Sequence, residues 1–152
     1  MLTRKQLPKY EFSKQGYEKI VTERKDLDKK RELAVADLAK AREMGDLSEN
    51  GYYKAARAKL SAIDSRIRRL DLMIKYTVVR QNQKTGEIGF GSQIEVEVNN
   101  KQLCFEIVGK EEADPDKGKI SNMSPIGLSL MGKRVGEKII FRGNEWEVLN
   151  IK

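Results

Sequence analysis

Tyr53-Lys-Ala-Ala-Arg-Ala-Lys-Leu-Ser-Ala-Ile-Asp-Ser-Arg-Ile-Arg-Arg-Leu-Asp-Leu-Met-Ile74 is the stretch that decides the fold. Tyr53, Ala56, Leu60, Ile63, Ile67, Leu70 and Ile74 step by three and four residues in turn, the spacing of an apolar heptad seam on a helix. The positions between them are mostly Lys, Arg, Ser and Asp. The preceding segment carries a looser seam, Tyr17, Ile20, Leu27, Ala34, Leu38 and Ala41, interrupted by Arg24 and Arg31, with Ser13 placed to cap its start. Neither stripe can be buried alone, so the two helices are expected to pair as an antiparallel coiled-coil hairpin joined near Met44–Asn50. At 1.5 Å per residue, helices of roughly 25–30 residues span about 40 Å.

Past Val79 the period changes from helical to alternating. Gln81–Gly89 is polar, carries Gly86 and Gly89, and reads as a linker. Ile94–Val98 and Leu103–Val108 read as strands around an Asn99-Asn100 turn, and Lys138–Phe141 with Glu145–Ile151 as a second hairpin around Gly143-Asn144. Ser124 to Met131 reads as a short helix with Ser124 as N-cap and Pro125 in first position. The expected class is α+β: a helical hairpin over 1–80, then a small antiparallel sheet with one helix packed on it over 81–152.

Composition narrows the chemistry. The 152 residues include no histidine and one cysteine, Cys104, which excludes Ser-His-Asp and Cys-His nucleophile systems, imidazole metal ligands, an intrachain disulfide and a cysteine zinc cluster. No apolar run is long enough for a membrane helix and the N-terminal stretch lacks a signal-peptide core, so a soluble, cytoplasmic chain without membrane contact is expected. The net charge of +7 is uneven: residues 1–80 hold 20 Lys and Arg against 12 Asp and Glu, residues 81–152 hold 10 against 11. A basic half suits a polyanion or an acidic protein surface; a solvated helix kept soluble by its charges has the same composition.

Ala41-Arg-Glu-Met-Gly-Asp-Leu-Ser-Glu-Asn-Gly51 falls where the hairpin turns. Asp46 and Glu49 are spaced as a helix cap and its capping-box partner would be. The same pair, too sparse to cage a metal, would complete a magnesium site whose other ligands belong to a partner, as two-metal phosphodiester hydrolysis requires. Lys40, Arg42, Lys54, Arg57 and Lys59 flank it, and would offset repulsion from nucleic acid or contact phosphates.

Arg42-Glu-Met-Gly-Asp-Leu-Ser-Glu-Asn50, with Tyr53 and Ala55-Ala-Arg57, resembles the coiled-coil tip of the bacterial Gre transcript-cleavage factors. Phe90-Gly91, Ile107-Val-Gly109, Glu112-Ala-Asp114, Lys119-Ile-Ser121, Ser124-Pro-Ile126, Gly132-Lys133 and Val135-Gly136 extend the resemblance in order over nearly the whole chain. Where many members have Ala-Glu-Tyr after the tip, this chain has Gly51-Tyr-Tyr53, and Gly127-Leu-Ser129 replaces an Arg-bearing stretch. The resemblance implies an FKBP-like second domain that docks on bacterial RNA polymerase through Ser124, Pro125, Ile126 and Lys133. It implies a coiled coil that enters the secondary channel, where Asp46 and Glu49 assist the polymerase active site by sharing a Mg2+ ion. Arg42, Ser48, Asn50, Tyr53 and Arg57 would line the channel contact and the nascent RNA 3′ end of a backtracked complex. On this reading the chain is a monomeric accessory factor with no tightly bound cofactor. The alternative is a regulator that occupies the channel without promoting cleavage. A prolyl isomerase would need an aromatic pocket, and residues 81–152 offer only Phe90, Phe105, Phe141 and Trp146.

Cys104, among Leu103, Phe105 and Ile107, reads as a buried strand thiol, and Trp146 as core. Tyr52 should face outward, as a merely exposed ring or as a platform for a base. Ile126, Leu128, Leu130 and Met131 are expected to pack on the sheet, with any outward-facing subset free to act as a docking patch.

Overall fold

The computed structural model describes residues 9–45, 51–82 and 85–152. The chain forms two units. One is Glu18–Tyr76; the other combines the described residues up to Tyr17 with Thr77–Lys152.

The helical unit follows from the seam. α1 runs Lys14–Glu43 and α2 runs Gly51–Lys75, close to the lengths read from the sequence. On α1 every seventh residue, Ile20, Leu27, Ala34 and Ala41, is buried. On α2 Ala56, Leu70 and Met73 are buried, with Tyr53, Leu60, Ile63, Ile67 and Ile74 half-buried between them.

The start of α1 belongs to the other unit. The Ser13 hydroxyl accepts from Gly16 N–H at 3.0 Å, the cap expected from sequence. Ser13 is itself held by Glu112, whose carboxylate accepts from the Ser13 N–H at 2.7 Å and from its hydroxyl at 2.6 Å. Just before it lies β1 (Tyr10–Phe12), which pairs in parallel with β2 (Thr77–Val79) and buries Phe12. This pair lay outside the sequence reading, since its strands are three residues long and 65 residues of hairpin separate Phe12 from Val78 in the chain. Gly109 lets β1 approach: a Cβ there would lie 1.9 Å from the Glu11 carbonyl oxygen.

The main sheet contains β3 (Gln93–Val98), β4 (Lys101–Val108), β5 (Lys119–Ser121), β6 (Lys138–Phe141) and β7 (Asn144–Ile151) in the order β5-β4-β3-β7-β6. Alternation puts Ile94, Val96, Ile107, Ile139 and Val148 on one face, where Leu130 of α3 (Pro125–Leu130) and Ile88 complete the core. Both hairpin turns contain two residues in the left-handed region: Asn99-Asn100 (φ 50° and 60°), and Arg142-Gly143 (φ 51° and 78°). The second turn sits one residue earlier than expected, because Phe141 pairs with Asn144 and leaves only Arg142-Gly143 outside the ladder.

Three further expectations change. The sheet is mixed, since β5 runs parallel to β4. The end of the supposed linker is core: Ile88 is 2% exposed and exchanges backbone hydrogen bonds with Gly132 and Lys133. Cys104 is exposed, because alternation along β4 sends Phe105 and Ile107 inward and Cys104 to the opposite face beside Glu95.

Replacing Glu112 with Ala should leave the Ser13 N–H and hydroxyl without their acceptor and cost about 1–3 kcal/mol, with Glu112→Gln recovering part of it. Urea unfolding of both variants against wild type measures this; equal midpoints would show that the start of α1 is held by other means.

Candidate functional site

The hairpin register is fixed by charges that interrupt the apolar seam. Arg24 Nε donates to Asp71 at 2.7 Å and Arg31 Nε to Asp64 at 2.6 Å. Seven residues forward on α1 answer seven backward on α2, which is the signature of antiparallel pairing. Glu23 takes a two-pronged contact from Arg66 at 2.7 and 2.8 Å, and Lys59 reaches Asp37 at 3.2 Å. A seam with Ala34, Ala41 and Ala56 at its contact positions is narrow, so these pairs set register more than they add stability. The hydrogen bonds from Arg66 hold the Glu23 carboxyl below its ordinary value, and those to Asp71 and Asp28 raise Arg24.

Beyond the Asp37–Lys59 pair the pattern changes. Lys40 and Arg42 on the last turn of α1, and Lys54 and Arg57 on the first turns of α2, are exposed and have no ion-pair partner among the described residues. Tyr53 sits half-buried on the seam and Tyr52 is exposed. Asp46, Ser48, Glu49 and Asn50 lie outside the described residues; the connection between Gly45 and Gly51 is where the chain places them. Cations near the connection thus have no ion-pair partner among the described residues where an acidic pair enters the sequence, while Arg24, Arg31, Lys59 and Arg66 are paired across the seam. Among the described residues no group of three or more Asp, Glu or Cys is placed to hold a metal ion.

The residues expected to dock a partner fall on α3 and just beyond it. The Ser124 hydroxyl accepts from Gly127 N–H at 3.1 Å and donates to the Ser121 carbonyl at 2.7 Å; Pro125 opens the helix and Ile126 packs against the core. Lys133 Nζ lies 3.3 Å from Glu137. The helix approaches the backbone closely at Gly127, where a Cβ would lie 2.0 Å from the Ser121 carbonyl oxygen. Leu128, 60% exposed, is an outward apolar side chain of the helix, and Met123 in the turn before it is also exposed.

The structural roles of Glu11 and Glu112 escaped the sequence reading. Burial raises the Glu11 carboxyl, but hydrogen bonds from Asn122 at 3.0 Å and Arg80 at 2.9 Å outweigh it and leave the group below its ordinary value. No local pattern signals either residue, because their partners lie 69 to 111 residues away.

Residues 10–79 match the family profile described as "Transcription elongation factor, N-terminal", and residues 82–152 the one described as "Transcription elongation factor, GreA/GreB, C-term". Over 148 residues the chain is 38% identical to the transcription elongation factor GreA of Bacillus cytotoxicus, covering 91% of this chain and 92% of that one. It is 39% identical over 133 residues to GreA of Mesoplasma florum, covering 84% and 85% of the two chains. Among solved structures, GreA factor homolog 1 of Thermus thermophilus is 27% identical and covers 95% of this chain and 99% of that one, with a TM-score of 0.47.

The carboxyls of Glu11 and Glu23 are both held low, so their contribution to stability is present above the ordinary value of 4.5 and is lost as pH falls below it through the folded values. Thermal unfolding followed by circular dichroism should therefore show a melting point that drops between about pH 5.5 and about pH 3. The Glu11→Gln/Glu23→Gln variant should show a shallower drop; an identical slope would rule these two groups out as its source.

Proposed function

The chain belongs to the GreA/GreB family of transcription elongation factors, and from that premise we propose that it binds RNA polymerase, enters the secondary channel with its helical hairpin, and stimulates the polymerase's own hydrolysis of backtracked RNA. The chain acts as an accessory factor and is not itself the catalyst. What carries this reading is the position of Asp46 and Glu49 in the sequence between α1 and α2, flanked by Lys40, Arg42, Lys54 and Arg57, which have no ion-pair partner among the described residues.

The donor set suits the ion this chemistry uses. The connection offers carboxylate oxygens only, which is what a hard cation such as magnesium takes, and two of them leave its remaining positions to the polymerase and the phosphate. Asp46 and Glu49 would hold the shared Mg2+, which when bound lowers the pKa of a water and steadies the scissile phosphate. Arg42 and Arg57 would meet the phosphates of the nascent RNA 3′ end, offsetting the repulsion the two acids create. Ser48 and Asn50 add neutral hydrogen-bonding groups beside them, and Tyr53 seats the start of α2 on the seam. Ser124, Pro125, Ile126 and Lys133 would present α3 for docking on the polymerase surface, with Leu128 as the outward contact.

The decisive experiment is RNA cleavage in a stalled, backtracked complex of the cognate polymerase with magnesium, using wild type, Asp46→Asn and Glu49→Gln. Wild type should stimulate cleavage, and each substitution should reduce the stimulation at least about tenfold, the lower end of what losing support for a catalytic metal costs. Binding to the polymerase should be retained. If wild type binds and does not stimulate cleavage, the chain is a channel-occupying regulator and the cleavage reading falls.

A further inference from the structure

The first turn of α2 is built against the helix it begins. A helix N-terminus favours acids and disfavours cations, because its free N–H groups carry partial positive charge. This first turn, Gly51-Tyr-Tyr-Lys54, holds no acid and ends on a lysine. Gly51 and Tyr52 are also weaker helix formers than the Lys, Ala and Arg residues that follow. Packing does not ask for glycine at 51, since a Cβ there would meet nothing within 4 Å among the described residues. Nor does the buried seam use Tyr52, whose side chain is 47% exposed at a position where many family members have Glu. A side chain that helix stability disfavours and the seam does not use points to a partner.

Met44 stands on the same row. Lys59 reaches Asp37 at 3.2 Å, and in an antiparallel pair seven residues forward on one helix answer seven backward on the other. That step leads from this ion pair to Met44, just past the end of α1, and to Tyr52. A row that holds an ion pair one heptad away thus ends in a thioether and a phenol ring, and Met44 is 71% exposed. The helical neighbours of Tyr52 three and four residues on are Ala55 and Ala56, whose methyl groups are too short to cover the ring. Thioethers pack well against aromatic rings, so the two side chains offer a soft apolar platform to a flat ligand. On the same turns Lys40, Arg42, Lys54 and Arg57 have no ion-pair partner among the described residues. A ring platform with cations near it suits a ligand that alternates flat apolar faces with negative charges, as a single-stranded nucleic acid does.

We infer that Tyr52, with Met44 beside it on the row, is a stacking platform for the terminal base of the nascent RNA, and that it makes stimulated cleavage favour transcripts ending in a purine. The inference rests on the function proposed above, which brings the RNA 3′ end to this part of the hairpin. The terminal base stacks on the Tyr52 ring, the Met44 thioether packs against the base, and the cations meet the phosphates. A purine offers the larger stacking face, so it is held more firmly in the geometry that hydrolysis needs. Tyr52 positions the base and takes no part in the proton or metal chemistry.

The test uses backtracked complexes of the cognate polymerase that differ only in the RNA 3′-terminal nucleotide: A, G, C, U or an abasic residue. Cleavage rates at saturating factor, each divided by the factor-free rate, are compared for wild type, Tyr52→Ala, Tyr52→Phe and Met44→Ala. Wild type should favour A and G over C and U by about fivefold, the lower end of what one base–aromatic stack contributes. Tyr52→Ala should lose about fivefold on purine ends and almost nothing on the abasic end, which erases the preference. Tyr52→Phe should keep the preference, and Met44→Ala should fall between. Ala is the better helix former, so the melting point of Tyr52→Ala should not drop, and its affinity for polymerase should match wild type. Equal stimulation by wild type and Tyr52→Ala on every end overturns the inference and leaves the proposed function standing. A loss of the same size on every end, the abasic one included, makes the ring a contact for the polymerase protein and also overturns the inference. A wild-type chain that binds polymerase and stimulates cleavage of no end overturns both.

Discussion

The Glu112 carboxylate fixes where α1 begins. A helix start exposes four backbone N–H groups, and here Ser13 answers one of them while Glu112 answers Ser13, through contacts 99 residues apart in the chain. β1 holds the same junction from the other side by its pairing with β2 and its close pass over Gly109. With the first turn set, the burial of Ile20, Leu27, Ala34 and Ala41 at seven-residue intervals follows, and so does the position of the connection after Glu43. The first residues of α1, up to Tyr17, thus belong to the same unit as Thr77–Lys152.

Along the hairpin the charges are arranged by purpose. A seam rich in alanine buries little apolar area, and antiparallel helices with such a seam can slip by a heptad at small cost. Arg24 with Asp71 and Arg31 with Asp64 make a slipped register expensive, because each would leave its charge beside the wrong neighbour. Nearer the connection, Lys40, Arg42, Lys54 and Arg57 have no ion-pair partner among the described residues. The positive charge of the first half is therefore partly engaged across the seam and partly without an ion-pair partner among the described residues.

In the main sheet, alternation, interrupted by a register shift between β3 and β7 at Glu95/Val96, does two jobs. It builds the core from Ile94, Val96, Ile107 and Val148, and it sorts charge by face, with Glu97 directly opposite Glu147 on the outer side. Like charges placed that way repel, and Lys138, 2.8 Å from Glu145 and 3.6 Å from Glu147, offsets part of it. The inner side is left with apolar and aromatic groups and, near the turns, with Lys101 and Arg142.

What the sequence determined by itself was everything set by neighbours within a few residues. The two helices, the Ser13 and Ser124 caps, Pro125 at the head of α3 and the Asn99-Asn100 turn were legible because periodicity, capping and positive φ are local properties. The acidic pair was legible too, as a spacing in a connection whose residues 46–50 stand outside the described structure. Only the tertiary structure decided the parallel pairs of β1 with β2 and β5 with β4, the burial of Ile88, the exposure of Cys104 and the roles of Glu11 and Glu112. A parallel pair is closed by chain that must travel out and back, and a carboxylate that caps a helix from 99 residues away leaves no periodic trace. Which face of β4 meets the core depends on the strand beside it, and so Cys104 could be placed only once β3 and β5 were seen on either side.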